Sequence, residues 1–153
     1  MLLVLTLIAN ACVGEEKKAS PPHDRRLMVV TTVAPITSIV ENVAGDNIQL
    51  TGIVPEGMNS HTFEPIPSDI KIIAAADLFM LNGLDLETPT LKLVHANKKP
   101  IASILLLGNN TISDKDFVFD FSFPKEQGHP NPHLWLNPEY TMQYARLVRD
   151  ELI

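Results

Sequence analysis

The sequence predicts an α/β fold in which helices flank a parallel sheet, and two observations carry that expectation. Short runs rich in apolar and β-branched residues alternate along the chain with segments whose apolar residues recur at helical spacing. The first such run, LMVVTTV, is apolar enough to be covered on both faces, as strands of βαβ units are.

Each element has its own local reason. Residues 27–33 read as the first strand. Pro35 then opens a helix, because the N–H it lacks has no intrahelical partner in a first turn anyway. Ile36, Ile39, Val40 and Val43 share one face of that helix, and Gly45 ends it. Residues 47–54 (NIQLTGIV) form the second strand, whose carboxyl end releases the loop PEGMNSHTFEPIP over 55–67. Ser68 is the expected N-cap of a helix over 69–76 that turns Ile70, Ile73 and Ala74 inward. Residues 78–81 are a third strand, turned by Asn82-Gly83. Residues 84–97 read as helix, interrupted or restarted at Pro89, and 101–107 as a fourth strand. Between 108 and 127 no period holds, although FVFDFSF alternates like an exposed strand or hairpin arm. Asn137 is placed to cap a last helix with Pro138 at its first position and Met142, Ala145, Val148 and Leu152 on one face.

The bulk properties bound the function. With 153 residues the chain has room for one domain of ordinary size, and 45% hydrophobic with 20% charged residues is ordinary for a globular chain. A net charge of -6 and the lack of any Lys/Arg cluster argue against a nucleic-acid partner, which would need a basic face. The opening MLLVLTLIANACV is apolar but shorter than the roughly 20 residues a membrane-spanning helix needs, and suits the apolar region of a secretion signal. Its end, Ile8-Ala9-Asn10-Ala11-Cys12, resembles a bacterial lipobox, with Ala9 where Leu is usual; the alternative is an unpaired Cys12 in a short anchor. The expected organisation is therefore a signal and lipoprotein anchor over 1–13, a polar tether over 14–26 and an α/β lobe over 27–153. One cysteine offers no intramolecular disulfide.

Two histidines stand out. His61 lies in the loop after the second strand, and His133 lies in a second Pro- and Asn-rich loop, GHPNPHLWLNP. Ligands of open parallel sheets bind beyond the carboxyl ends of the strands, where the His61 loop begins. Two neutral imidazoles on separate stiff loops suit a transition-metal cation, since Pro-rich flanks lessen the entropy lost on closing around an ion. The spacing is none of HExxH, HxH or CxxC, so the pair alone does not identify a site. His129 is near His133, but Pro130 and Pro132 forbid a helix that would align the two, and it reads as a solvated loop residue. His23 in the tether and His95 beside Lys98 and Lys99 read as structural or solvent-facing. Glu64 and Asp69 are placed either to orient His61 from behind or to occupy the positive end of the next helix. Trp135, between two leucines, reads as core. No GxSxG, SxxK, GxGxxG or P-loop appears, and Cys12 sits in the signal region, so nucleophilic catalysis and phosphate binding gain no support.

The motifs around the two histidines are similar to those of a known family. The stretch GIVPEGMNSHTFEPIPSDIKIIAAADLFMLNGLDLE resembles the N-terminal lobe of the substrate-binding lipoproteins that serve zinc and manganese ABC importers. Pro55, Gly57, His61, Phe63, Glu64, Pro65, Pro67 and Asp69 match that family's first histidine motif. Ala76-Asp77-Leu78, Asn82-Gly83 and Leu86-Glu87 match the run that follows it. Asn131-Pro132-His133-Leu134-Trp135-Leu136-Asn137-Pro138 matches its second histidine motif, and VVTTVAPITSIVENVAGD resembles its first strand and helix. The resemblance implies one lobe of a two-lobed protein that captures Zn or Mn outside the membrane and delivers it to an ABC permease. It implies His61 and His133 as two metal ligands, with a His or Glu and an Asp from a second lobe that this chain is expected to end before reaching. A His-rich loop of the zinc branch is not seen between 108 and 128. Two other classes stay open at this point. One is a zinc-dependent hydrolase fragment with Glu64 as its only candidate base, and the other is a surface adhesin lipoprotein.

Overall fold

The computed structural model describes residues 26–153, so the expected anchor with Cys12, and the tether up to residue 25 with His23, lie outside the described residues. The elements are β1 (Leu27–Thr31), α1 (Ala34–Ala44), β2 (Ile48–Gly52), α2 (Pro67–Ala75), β3 (Leu78–Leu81), α3 (Thr88–Asn97), β4 (Ser103–Leu106) and α4 (Pro138–Leu152). All strand pairs are parallel, in the order β2-β1-β3-β4. The α/β fold with a helix-flanked parallel sheet is thus what the chain adopts.

Side chains alternate across a strand, and β3 shows the result. Leu78 and Met80 join Val29, Ile36, Val40, Tyr144 and Val148 on the face covered by α1 and α4. Phe79 and Leu81 join Val30, Ile73, Ala76 and Val94 on the face covered by α2 and α3. All four β3 residues are buried, as an inner strand of a two-sided sheet requires.

The strand order puts a topological switch point between β1 and β3, because the chain leaves β1 toward β2 and then crosses back. Such a crevice is where ligands bind in open α/β sheets. Here a carboxylate fills it. Glu87, 3% exposed, accepts from Thr32 Oγ1 at 2.6 Å, from Asn82 N–H at 2.8 Å and from Gly83 N–H at 3.0 Å. Desolvation by burial raises the pKa of its carboxyl above the usual value, against the pull of those three donors. The site described below is therefore built from the loops beyond this crevice.

Several boundaries differ from the sequence reading. Helix α2 starts at Pro67, and its N-cap is Ile66, not Ser68. The Asp69 carboxylate reaches back to accept from Ile66 N–H at 2.8 Å, which satisfies a terminal donor that Ser68 was expected to serve. Ile73 is buried as expected and Ala76 is buried beside it, while Ile70 and Ala74 face solvent. Residues 84–87 are not helical. Gly83, Leu84 and Asp85 all have positive φ (78°, 51° and 62°), and α3 begins only at Thr88, with Pro89 in its first turn. Gly83 also needs its missing Cβ, since Asn109 Oδ1, which accepts from Leu84 N–H at 3.1 Å, occupies that space.

The segment FVFDFSF is neither strand nor hairpin arm. Asp120 Oδ1 accepts from Ser122 N–H at 2.8 Å and Phe123 N–H at 3.1 Å, folding the run into a turn before any ladder forms. In α4 the cap is as expected, with Asn137 Oδ1 accepting from Glu139 N–H at 2.9 Å. Its inward residues are Tyr144 and Val148, whereas Met142 is exposed.

Candidate metal centre

The two histidine loops reach the same place by the same device. Beyond β2, Ile53 and Val54 keep pairing with the Thr31 and Thr32 carbonyls (2.9 and 3.1 Å), which carries the 55–66 loop past the end of the sheet. Within it, Asn59 Oδ1 accepts from His61 N–H at 3.0 Å. In the second loop Asn131 Oδ1 accepts from His133 N–H, also at 3.0 Å. Each histidine therefore ends an Asx turn whose asparagine stands two residues earlier.

The rings meet. His61 Nε2 lies 3.3 Å from His133 Nε2, with ring centroids 5.3 Å apart and planes tilted by 58°. Two nitrogens bound to one tetrahedral ion at about 2.0–2.1 Å are themselves about 3.3–3.4 Å apart. The separation is that of neighbouring ligands on one cation. Among the described residues no group of three or more His, Cys, Asp and Glu side chains converges to hold an ion, so the pair supplies two donors.

The protonation state suits the same role. His133 Nδ1 lies 2.8 Å from Asn131 Oδ1, which only accepts, so the proton sits on Nδ1 and the Nε2 lone pair faces His61. The orientation of Asn131 is fixed in turn by its Nδ2, which donates to Asp120 Oδ2 at 2.6 Å. A carboxylate–amide–imidazole chain thus orients the ring from behind. The Asn131 bond, with the N–H groups of Ser122 and Phe123, holds the Asp120 carboxyl below the usual carboxylate range. Burial lowers the pKa of both imidazoles; for His133 the neighbouring His61 adds to this and Asp120 partly opposes it. Both rings are therefore favoured in the neutral form.

Aromatic rings wall the pair. The Phe123 centroid lies 5.5 Å from each imidazole, and Trp135 lies 5.2 Å from His133 at 78°. Trp135 is half-buried against the core, as its sequence implied, and its ring also flanks the site. Phe123 came from the stretch read as an exposed strand, so no sequence signal pointed to it. Asn59 and Asp120 were missed as well, although the repeated pattern Asn-x-His was there to be read.

The remaining candidates lie elsewhere. Glu64 is exposed and makes no hydrogen bond to either imidazole, and the Asp69 carboxylate is engaged by the N–H of Ile66, the N-cap of α2. His129 pairs with Asp85 (Nδ1 to Oδ2, 2.9 Å), both largely exposed, and does not join the pair. His95 is exposed in the last turn of α3.

The chain has relatives. The chain is 37% identical to the manganese ABC transporter substrate-binding lipoprotein PsaA of Streptococcus anginosus, over all of this chain and 49% of that protein. It is 33% identical to the manganese-binding lipoprotein MntA of Halalkalibacterium halodurans, over all of this chain and 47% of that protein. The chain thus spans about half the length of the curated relatives it matches. Its fold superposes on the Mn-bound periplasmic metal binding protein from candidatus liberibacter asiaticus with a TM-score of 0.70 at 28% identity, covering 83% of this chain and 45% of the other. The model of the ZnuA family, zinc-uptake complex component A periplasmic, matches residues 29–153. With that match running from the first strand to the last helix, the chain belongs to the ZnuA family.

Proposed function

We propose that this chain is the N-terminal, ion-gripping lobe of the solute-binding component of an ABC importer, and that it captures a divalent transition-metal ion, Zn or Mn, through His61 and His133. The observation that carries the reading is the 3.3 Å separation of the two Nε2 atoms, with the His133 proton held on the opposite nitrogen. The relatives named as manganese and metal-binding lipoproteins support the same cargo and an ABC permease as the partner. They also support an extracytoplasmic protein anchored through a lipid on Cys12.

The donor set sets the strength of the grip. Two imidazoles leave half of a four-coordinate shell to water, so this lobe holds its ion weakly and exchanges it readily. At equal availability an imidazole pair favours Zn over Mn. Calorimetric titration of the chain with each ion is the test. Weak zinc binding is expected, with manganese weaker, and both are lost in His61→Ala and His133→Ala. Unchanged zinc affinity in the double variant would sink the assignment.

A further inference from the structure

Neither Asn82 nor Tyr144 touches the imidazole pair, yet both are fully buried polar residues on the path that leads to it. We propose that they are positioning residues which fix where His133 stands, so that helix α4 sets the geometry of the imidazole pair. The functional consequence rests on the metal-binding reading; the positioning itself does not.

One peptide group carries the constraint. The Pro132–His133 peptide is planar and rigid. Its oxygen accepts from Asn82 Nδ2 at 3.0 Å and from Leu134 N–H at 2.9 Å, while its N–H donates to Asn131 Oδ1 at 3.0 Å. A rigid plane held at both edges cannot rotate, so the His133 Cα is fixed. The Nδ1 bond to the same Asn131 oxygen then fixes the ring. His61 has the Asn59 turn but no hydrogen bond at its Nδ1, so the locked partner of the pair is His133.

Asn82 is itself immobilised. Its backbone N–H donates to Glu87 Oε1 at 2.8 Å, its Nδ2 also donates to the Gly83 carbonyl at 3.1 Å, and its Oδ1 accepts from the Tyr144 hydroxyl at 2.7 Å. Two carbonyls settle which way the amide faces: the oxygens of Gly83 and Pro132 can only accept, so both require Nδ2 on their side, which leaves Oδ1 to accept from the Tyr144 hydroxyl. Turning the amide over would set its oxygen against both carbonyls. Tyr144 lies in the middle of α4, so a hydroxyl on that helix braces the amide whose NH2 holds the His133 peptide. No buried side-chain polar atom among the described residues is without a partner, so deleting this hydroxyl orphans Asn82 Oδ1 and removes the bond that ties the amide to α4, leaving it free to shift.

The test compares two buried residues of α4. Tyr144→Phe removes only the hydroxyl, whereas Val148→Ala weakens the same helix without touching the hydrogen-bonded path. In the metal-free chain, Tyr144→Phe is expected to shift the imidazole 15N resonances of His133, and on titration to lower zinc affinity about 10-fold, the scale on which orienting groups behind a ligand act. Val148→Ala is expected to lower the unfolding midpoint and leave both readouts in place. Wild-type resonances and affinity in Tyr144→Phe, or equal changes in Val148→Ala, would overturn the proposal. If Tyr144→Phe does not fold, the unaltered chain decides. The side-chain amide resonances of Asn82 must then move together with those of His133 when zinc is added, and no movement overturns the idea. A wild-type chain that takes up no zinc, while Tyr144→Phe still displaces the His133 resonances, would retain the positioning and sink the metal reading alone.

Discussion

Asn59 and Asn131 stand two residues ahead of His61 and His133, and each accepts a hydrogen bond from the histidine's own backbone N–H. The histidines were legible because their flanking Pro, Gly and acidic residues form recognisable motifs. The role of the asparagines was not, although Asn-x-His recurs in both loops, because a side chain that bonds its own loop leaves no periodic mark. Phe123 was hidden for a related reason: the alternation of FVFDFSF mimics a strand, and only the Asp120 turn shows otherwise. Protonation at the pair has a direction that can be measured. Both imidazoles have folded-state pKa values below the ordinary 6.5, so the folded chain binds fewer protons than the unfolded one in that range. Stability linked to the pair is present above 6.5 and is lost as the pH falls through the lower folded values. Denaturant titration of the metal-free chain is expected to give a lower midpoint near pH ~5 than at neutrality. The drop should shrink in the variant lacking both histidines.

At the scale of elements, the four strands and four helices were readable from apolar spacing and from Pro and Gly punctuation, while their ends were not. Helix α2 illustrates why. By residue type Ser68 is the better N-cap, but Pro67 is already at the first helical position, and the Asp69 carboxylate serves the donor on Ile66. In α4, Asn137 followed by Pro138 left no such rivalry, and the cap fell where expected. Asn137→Ala should therefore cost about 1 kcal/mol of folding stability, read as a lower denaturant midpoint. A drop smaller than the scatter of surface substitutions would show that α4 is held by packing alone.

For the whole molecule, alternation of strands and helices predicted a parallel sheet, but not its order. Nothing in the residues of β2 or β3 announces that β1 lies between them; that follows from which crossovers cover which face. Order matters because it creates the crevice that Glu87 fills and leaves the imidazole pair to the loops. An ion held only by the folded form stabilises it by mass action, about 2.7 kcal/mol at a hundredfold excess over Kd. Zinc is expected to raise the Tm of this chain in proportion to the logarithm of its concentration, and His133→Ala should abolish the rise.

The two imidazoles are 72 residues apart in sequence. An unstructured chain would have to close that whole span to bring both rings to one ion, and such closure is entropically unfavourable. In the folded lobe the rings lie side by side, on loops that follow β2 and β4. The proposed grip on a cation is therefore a property of the assembled lobe, and its appearance would report that the polypeptide has folded.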